Sequence, residues 1–324
     1  MTFVTLFNDI AYYRRPAIFY KIYLSNQSEA LKMKTILEIN HLNKSFNKQN
    51  ILHDVNLKIN SHSIIALVGA NGAGKTTLIN LILDLLPIDS GYVKFLIDDN
   101  WKKVTGVMMQ DNISLHRIKV KEIIELSRSY FDKPLPYTEL LTIANLKTQE
   151  NSFMSELSGG QKRRLSFALA LAGDPQILFL DEPTVGLDSN ARNDFWKEID
   201  QLRKNGKTIF VTSHYLEELE NIADRFLILQ NGTIAFDGTI QELRSRKGQV
   251  LIEFDSNLAA AIFNNLNMVI SINQIGQHYQ IITNRPNDLI TALNPYLSAI
   301  TNLQIKQTNL DTMLLNYQED STHA

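Results

Sequence analysis

No cysteine occurs in these 324 residues. A disulfide framework and a thiolate metal site are therefore excluded. Nor does any apolar run approach the ~18 residues of a membrane-spanning helix, so the chain is not expected to cross a bilayer by itself. Charge of one sign is scarce too: 32 Lys and Arg stand against 34 Asp and Glu, a formal net charge of -2. That balance gives no electrostatic ground for nucleic acid as the main partner. Internal repeats and low-complexity tracts are missing as well. What the chain has in quantity is apolar side chain, 44% of its residues. That is enough for a sizeable core, in two ordinary domains or one large domain with an appendage.

Residues 1–34 stand apart. Tyr12, Tyr13, Phe19, Tyr20 and Tyr23 lie there among Arg14, Arg15 and Lys21. The stretch lacks a clean apolar centre and a small-residue cleavage site, so it does not read as a signal peptide. A membrane-surface or partner-docking segment is one reading. The expected one is a poorly ordered extension ahead of a natural start at Met33.

The most informative stretch is Gly69-Ala70-Asn71-Gly72-Ala73-Gly74-Lys75-Thr76-Thr77. It fits G-x-x-x-x-G-K-[ST] at every fixed position. Residues 64–68 before it form a short apolar run that reads as a buried strand. Residues 77–83 after it read as a helix. Strand, glycine loop and helix N-terminus together make a phosphate cradle, because loop N–H groups point inward and the helix dipole favours negative charge. Lys75 adds a point charge for the β- and γ-phosphates, and the Thr76 hydroxyl can ligate Mg²⁺.

A second element complements it. Ile177-Leu178-Phe179-Leu180 is apolar throughout, as a central parallel strand buried on both faces would be. It delivers Asp181 and Glu182 at its carboxyl end, where α/β sheets bind ligands. Asp181 can hold Mg²⁺ opposite Thr76. Glu182 can orient or deprotonate an attacking water.

A third element is Leu157-Ser158-Gly159-Gly160-Gln161. Ser158 is a plausible N-cap of a helix over residues 158–172. Two glycines in a first helical turn cost ~1 kcal/mol each relative to alanine. Lys162, Arg163 and Arg164 also crowd the end where the dipole disfavours cations. Local rules broken in this way point to a functional site: a second anion-binding helix N-terminus, separate from the phosphate loop.

Elsewhere, strands are expected near residues 36–39, 55–59, 92–96, 105–109, 207–212, 226–229 and 233–237. Helices are expected over most of 120–146, interrupted near Pro134 and Pro136, and over 190–204 and 215–223. Gly248 reads as a boundary. Beyond it the pattern runs β-α-β-β-α-β, a small split-βαβ unit, and residues 310–317 could add a last helix.

In this order and conjunction the motifs make the chain resemble the ATP-binding subunits of ABC transporters, over about residues 36–240. Residues 69–76 are similar to the Walker A loop, 157–161 to the signature motif and 177–182 to Walker B. The resemblance implies an α/β fold of the P-loop NTPase, ABC-ATPase type, with a helical subdomain (about 111–165) and an antiparallel β subdomain. The ATP-binding domain is expected over 35–240 and a small α+β domain over 249–324.

Further roles come from the resemblance alone. Phe46 matches the aromatic that stacks on adenine, and Gln110 the glutamine that reaches the Mg²⁺ and water region. Asp188 matches a loop that crosses the dimer interface, and His214 the switch histidine at the γ-phosphate. ATP and Mg²⁺ are the implied cofactors. Two such domains pack head to tail, each ATP lying between one copy's Walker A loop and the other's signature helix.

The implied partners are a second ATP-binding subunit, expected to be another copy, and separate transmembrane permease subunits. Nucleic acid is not expected, and the transported substrate is not touched. The implied place is the cytoplasmic face of the membrane, held there through the permease. Residues 159–165, with Arg192, Phe195 and Trp196, are similar to the bacterial antibiotic, multidrug and bacteriocin-immunity export branch. A soluble ABC-type ATPase acting on ribosomes or DNA is the alternative.

Overall fold

The structure, a computed structural model, describes residues 34–111, 115, 117–213, 216–247 and 250–307. The expected features at 1–33, His214, Gly248 and 310–317 therefore lie outside the described residues.

Strands β1 (Thr35–Phe46) and β2 (Gln49–Asn60) form a long antiparallel hairpin. Its turn is Asn47-Lys48, both at positive φ (50° and 68°), the conformation that matches strand twist in a two-residue hairpin. The chain then enters β3 (Ile64–Val68) and helix α1 (Lys75–Ile82). Next come β4 (Ser90–Phe95), β5 (Thr105–Met108), α2 (Val120–Ser129), α3 (Tyr137–Ile143) and α4 (Gly159–Leu171). Strand β6 (Ile177–Leu180), α5 (Ser189–Lys204), β7 (Thr208–Ser213) and the one-turn α6 (Leu216–Leu219) follow. The hairpin β8 (Arg225–Gln230) and β9 (Thr233–Gly238) leads into α7 (Ile240–Lys247).

Two sheets make this part of the molecule. One is antiparallel, in the order β2-β1-β4. The other runs β5-β6-β7-β3-β8-β9, parallel except for β9. Its central strands are buried on both faces, and the two-residue period sorts their side chains cleanly. Ile64, Ala66, Val68, Leu178, Leu180, Ile209 and Val211 face Leu165, Ala168 and Leu171 of α4 and Trp196 and Ile199 of α5. Ile65, Leu67, Ile177, Phe179 and Phe210 face Leu78, Leu81 and Ile82 of α1 and the inner side of β1 and β2. Each fully buried Leu, Ile or Phe contributes about 1.5–3 kcal/mol. Strands β3, β6 and β7 are therefore held from both sides, and the loops at their carboxyl ends start from a rigid platform.

Residues 250–307 fold around an apolar cluster of their own: Ile252, Phe254, Phe263, Tyr279, Ile281, Leu289 and Leu293. The elements are β10 (Val250–Ser256), α8 (Ala260–Asn264), β11 (Ser271–Ile275), β12 (His278–Thr283), α9 (Pro286–Leu293) and β13 (Ile300–Gln307). This is the β-α-β-β-α-β order read from the sequence, in an antiparallel sheet β11-β12-β10-β13.

Two expectations shift. The first strand runs on through Phe46, because bulges within β1 and β2 absorb the polar residues that break the alternation. The helix expected over 215–223 is described only as α6, followed by a turn at Ile222 and Ala223. The first helix of the β-α-β-β-α-β unit, for which the sequence pattern sets no sharp ends, is only the five residues of α8.

Candidate functional site

The loop between β3 and α1 is tightly determined. Gly69 lies so close to β8 that a Cβ there would sit 2.5 Å from the Leu229 carbonyl oxygen. Gly74 caps α1 at φ 103°, a conformation that favours glycine. Lys75 is 7% exposed and folds back over the loop. Its ammonium donates to the carbonyls of Gly69 (2.8 Å) and Ala70 (3.2 Å) and lies 3.6 Å from Glu182 Oε1. Those carbonyls fix where the charge sits, and α1 aims its free N–H groups into the same space.

Asp181 is fully buried at the end of β6. The Thr76 hydroxyl donates to its Oδ2 at 2.7 Å, and the Thr212 hydroxyl to its Oδ1 at 2.6 Å. Thr212 Oγ1 also accepts from the Glu182 N–H at 2.8 Å. Glu182 itself is buried and sits at φ 49°. Non-glycine residues hold that region only where the surroundings over-determine it.

The donor set fits a magnesium ion. Thr76 and Asp181 offer hard oxygens facing each other, and Gln110 lines the same cleft. Among the described residues no group of three or more His, Cys, Asp or Glu could hold a metal. An ion here would take its remaining ligands from water and substrate phosphates, which is how Mg²⁺ is usually bound.

Phe46, at the end of β1, is 41% exposed. The Lys44 ammonium lies 5.2 Å from its ring centroid and pairs with Asp89 at 2.7 Å. One cleft is lined by Phe46, Asn71, Gly72, Gly74, Lys75, Thr76, Thr77, Gln110 and Glu182. Ala73 lies on an adjoining cleft with Gly69 and Asn71.

The other expected residues are elsewhere. Ser158 caps α4, its hydroxyl accepting from the Gln161 N–H at 3.3 Å, while Gln161 Oε1 accepts from the Ser158 N–H at 2.8 Å. That reciprocal capping box offsets part of the cost of Gly159 and Gly160 in the first turn. Ser158 and Gly159 are exposed. A Cβ on Gly159 would meet nothing within 4 Å, and one on Gly160 would lie 3.6 Å from Leu187 Cδ2. Asp188 caps α5 and accepts from the Ala191 N–H at 2.9 Å. Residues 158–161 and Asp188 are not among the residues that line the Lys75 cleft. The expected residues thus fall into two separate groups.

Three residues outside the expected set matter to the geometry. Thr212 bridges Asp181 and Glu182 as described. Arg163, in the second turn of α4, is buried and donates to main-chain carbonyls just after β5 and β6; its one signal in sequence is that a cation stands where the helix dipole disfavours it. Glu218 accepts from Thr184 Oγ1 (2.9 Å) and Trp196 Nε1 (3.1 Å) and pairs with Arg192 at 2.9 Å, fastening α6 to α5. Such a hub joins residues far apart in the chain and leaves no local pattern.

The model of the ABC transporter family matches residues 52–185. The Nod factor export ATP-binding protein I of Rhizobium etli is 32% identical over 231 residues, 68% of this chain and 73% of its own. The linearmycin resistance ATP-binding protein of Bacillus subtilis is 27% identical over 303 residues, 87% of this chain and 97% of its own. Among solved structures, an ATP-binding subunit of an ABC transporter superposes with a TM-score of 0.61 at 26% identity, over 66% of this chain and 94% of that one. The chain belongs to the ABC transporter family, as an ATP-binding subunit with ATPase activity.

Proposed function

We propose that this chain is the ATP-hydrolysing subunit of an exporter, working as a head-to-tail homodimer on the cytoplasmic face of the membrane beneath separate permease subunits. The observation that carries this reading is the division of the expected residues. Lys75, Thr76, Gln110 and Glu182 line one cleft, while Ser158 and Gly159 present an open helix N-terminus elsewhere. A second copy, turned head to tail, would bring its Ser158 helix to the cleft and complete it.

In this reading the phosphates of ATP lie on the loop of residues 69–77, and Lys75 neutralises the β- and γ-phosphates. The adenine stacks on Phe46. Thr76 and Asp181, with Gln110 in the same cleft, would hold Mg²⁺, which would supply positive charge to offset the charge developing in phosphoryl transfer. Glu182 takes a proton from water as the water oxygen bonds to the γ-phosphorus and the bridging oxygen leaves with ADP. His214, outside the described residues, would act at the γ-phosphate. Gln161, Gly160 and Asp188 belong to the face that meets the partner. Loss of the γ-phosphate contacts then loosens the pair.

The permease would dock on the helical segment after Gln110. A groove there is lined by Met108, Ile123, Leu126, Tyr130, Phe131 and Leu169. Tyr130 is 74% exposed and Leu126 43%, a contiguous apolar edge of the kind that marks a protein contact. Among the described residues no helix is long and apolar enough to cross a membrane. The export direction rests on the two relatives, one named for Nod factor export and one for linearmycin resistance. Residues 250–307 form the small second domain.

Two measurements test the reading. Glu182→Gln should abolish steady-state hydrolysis while leaving nucleotide bound; unchanged turnover would remove Glu182 as the base. The chain should co-purify in detergent with a membrane protein, and co-purification with ribosomes instead would favour the soluble alternative.

A further inference from the structure

Arg163 is 2% exposed, and all five of its guanidinium N–H groups meet backbone carbonyls. Nε donates to Pro183 O at 3.0 Å. Nη1 donates to Met109 O at 3.0 Å and Gln110 O at 2.7 Å. Nη2 donates to Asp181 O at 2.7 Å and to Glu182 O. A guanidinium has five donors in a rigid planar fork, so donors and acceptors match one to one.

The acceptors come from two loops, the exits of β5 and β6. Arg163 stands on a third element, α4, five residues after Ser158. One side chain therefore joins the backbone beside Gln110, the backbone around Glu182 and the helix that Ser158 caps. Burial lowers the guanidinium's proton affinity, and the nearby carboxylates of Asp181, Glu182 and Asp111 act in the opposite direction. It stays charged at any working pH.

The local conformation shows what this fastening does. Glu182 sits at φ 49°, and three successive carbonyls, of residues 181, 182 and 183, accept from Arg163. The Glu182 N–H donates to the Thr212 hydroxyl oxygen. The turn that aims the Glu182 side chain is thus fixed from the α4 side by one residue.

We infer that Arg163 is a positioning residue for ATP hydrolysis, holding Glu182 and Gln110 on one frame and tying that frame to the Ser158 helix. The inference rests on the reading of Glu182 as the base. It has a second consequence in a head-to-tail pair. The frame around one nucleotide and the helix that meets the other nucleotide move as one body, so the two sites are coupled through Arg163.

The test uses the full chain with Arg163→Lys and Arg163→Gln. Lysine keeps the charge, but its three donors on one nitrogen cannot serve five carbonyls. Arg164→Lys is the control, since Arg164 donates to Ala144 O at 3.2 Å, away from both loops. Affinity for a fluorescent ATP analogue and steady-state hydrolysis against ATP concentration are read for each. Arg163→Lys should bind the analogue within about threefold of wild type, lose about tenfold or more in kcat, and move its Hill coefficient toward one. Arg164→Lys should keep both kcat and cooperativity.

The inference is overturned if Arg163→Lys keeps kcat within about twofold, or if Arg164→Lys loses as much. It is equally overturned if both Arg163 variants lose nucleotide affinity together with kcat, or fail to fold, because Arg163 would then serve the fold rather than the site. Glu182→Gln run alongside separates the two readings. Unchanged turnover in that variant removes the base assignment and this inference with it. Abolished turnover there, with Arg163→Lys like wild type, removes this inference alone.

Discussion

Replacing Thr212 by valine removes one hydroxyl and almost no volume, so no cavity opens in β7. Two hydrogen bonds vanish together: the one donated to Asp181 Oδ1 and the one accepted from the Glu182 N–H. Thr212 and Asp181 are both fully buried, so water cannot replace either bond. A hydrogen bond to a charged group contributes about 1.5–3 kcal/mol, and a stranded buried N–H costs about 1–3 kcal/mol. The sum is roughly 4 kcal/mol of lost stability. At about 2–4 °C per kcal/mol, the melting temperature should fall by about 10 °C. Thr212→Ser keeps the hydroxyl and should fall far less. Differential scanning calorimetry at neutral pH compares the three proteins. A valine variant that melts within about 2 °C of wild type would refute the claim that this hydroxyl is the shared partner of the two carboxylate residues.

Three other outcomes are expected. Gly69→Ala should abolish nucleotide binding in a fluorescence titration, because its Cβ cannot sit 2.5 Å from the Leu229 carbonyl without moving the loop; retained affinity would mean that β8 gives way instead. Phe46→Ala should weaken ATP binding by about 1–3 kcal/mol, the typical contribution of a base–aromatic stack, and equal affinity in the same titration would take Phe46 out of the adenine site. Glu253, a buried residue of β10 between the core residues Ile252 and Phe254, has its carboxyl pKa lowered chiefly by the hydrogen bond from Lys306, against the opposing effect of burial. A depressed carboxylate stabilises the fold above its ordinary pKa and loses that contribution as pH falls through the folded value. Thermal melts of the wild type should therefore drop on acidification below about pH 4.5, and Glu253→Gln should flatten that acid limb; an identical acid limb in the variant would show that Glu253 contributes nothing to it.

Much of the architecture is legible in the sequence because its central strands are short and uniformly apolar. Residues 64–68 and 177–180 can hardly be anything but strands buried on both faces. The glycine loop is legible for a related reason: Gly69 and Gly74 stand where a close approach and a positive φ leave little alternative. Less is visible where tertiary contacts decide the outcome. Phe46 reads as part of a connection, but bulges carry β1 through it. Arg163 reads as a cation badly placed at a helix start. Its five acceptors are main-chain carbonyls 18 to 54 positions away, and main-chain atoms leave no trace in residue identity. Thr212 is likewise invisible as a partner of Asp181, since β6 and β7 are joined only through the sheet.

The most direct test of head-to-tail pairing mixes two inactive variants of the chain. Lys75→Ala disables the phosphate loop and leaves the Ser158 helix intact, whereas Ser158→Arg does the reverse. In a mixed dimer one site combines both defects and the other combines both intact faces. At equal mixing about half the dimers are mixed, and each carries one working site of two. ATP turnover should then rise well above either variant alone, to no more than about a quarter of the wild-type rate, the value for independent sites, and to less in proportion to the coupling between them. Turnover that stays at the sum of the two separate variants, under conditions where mixed dimers form, would contradict a nucleotide site shared between two copies.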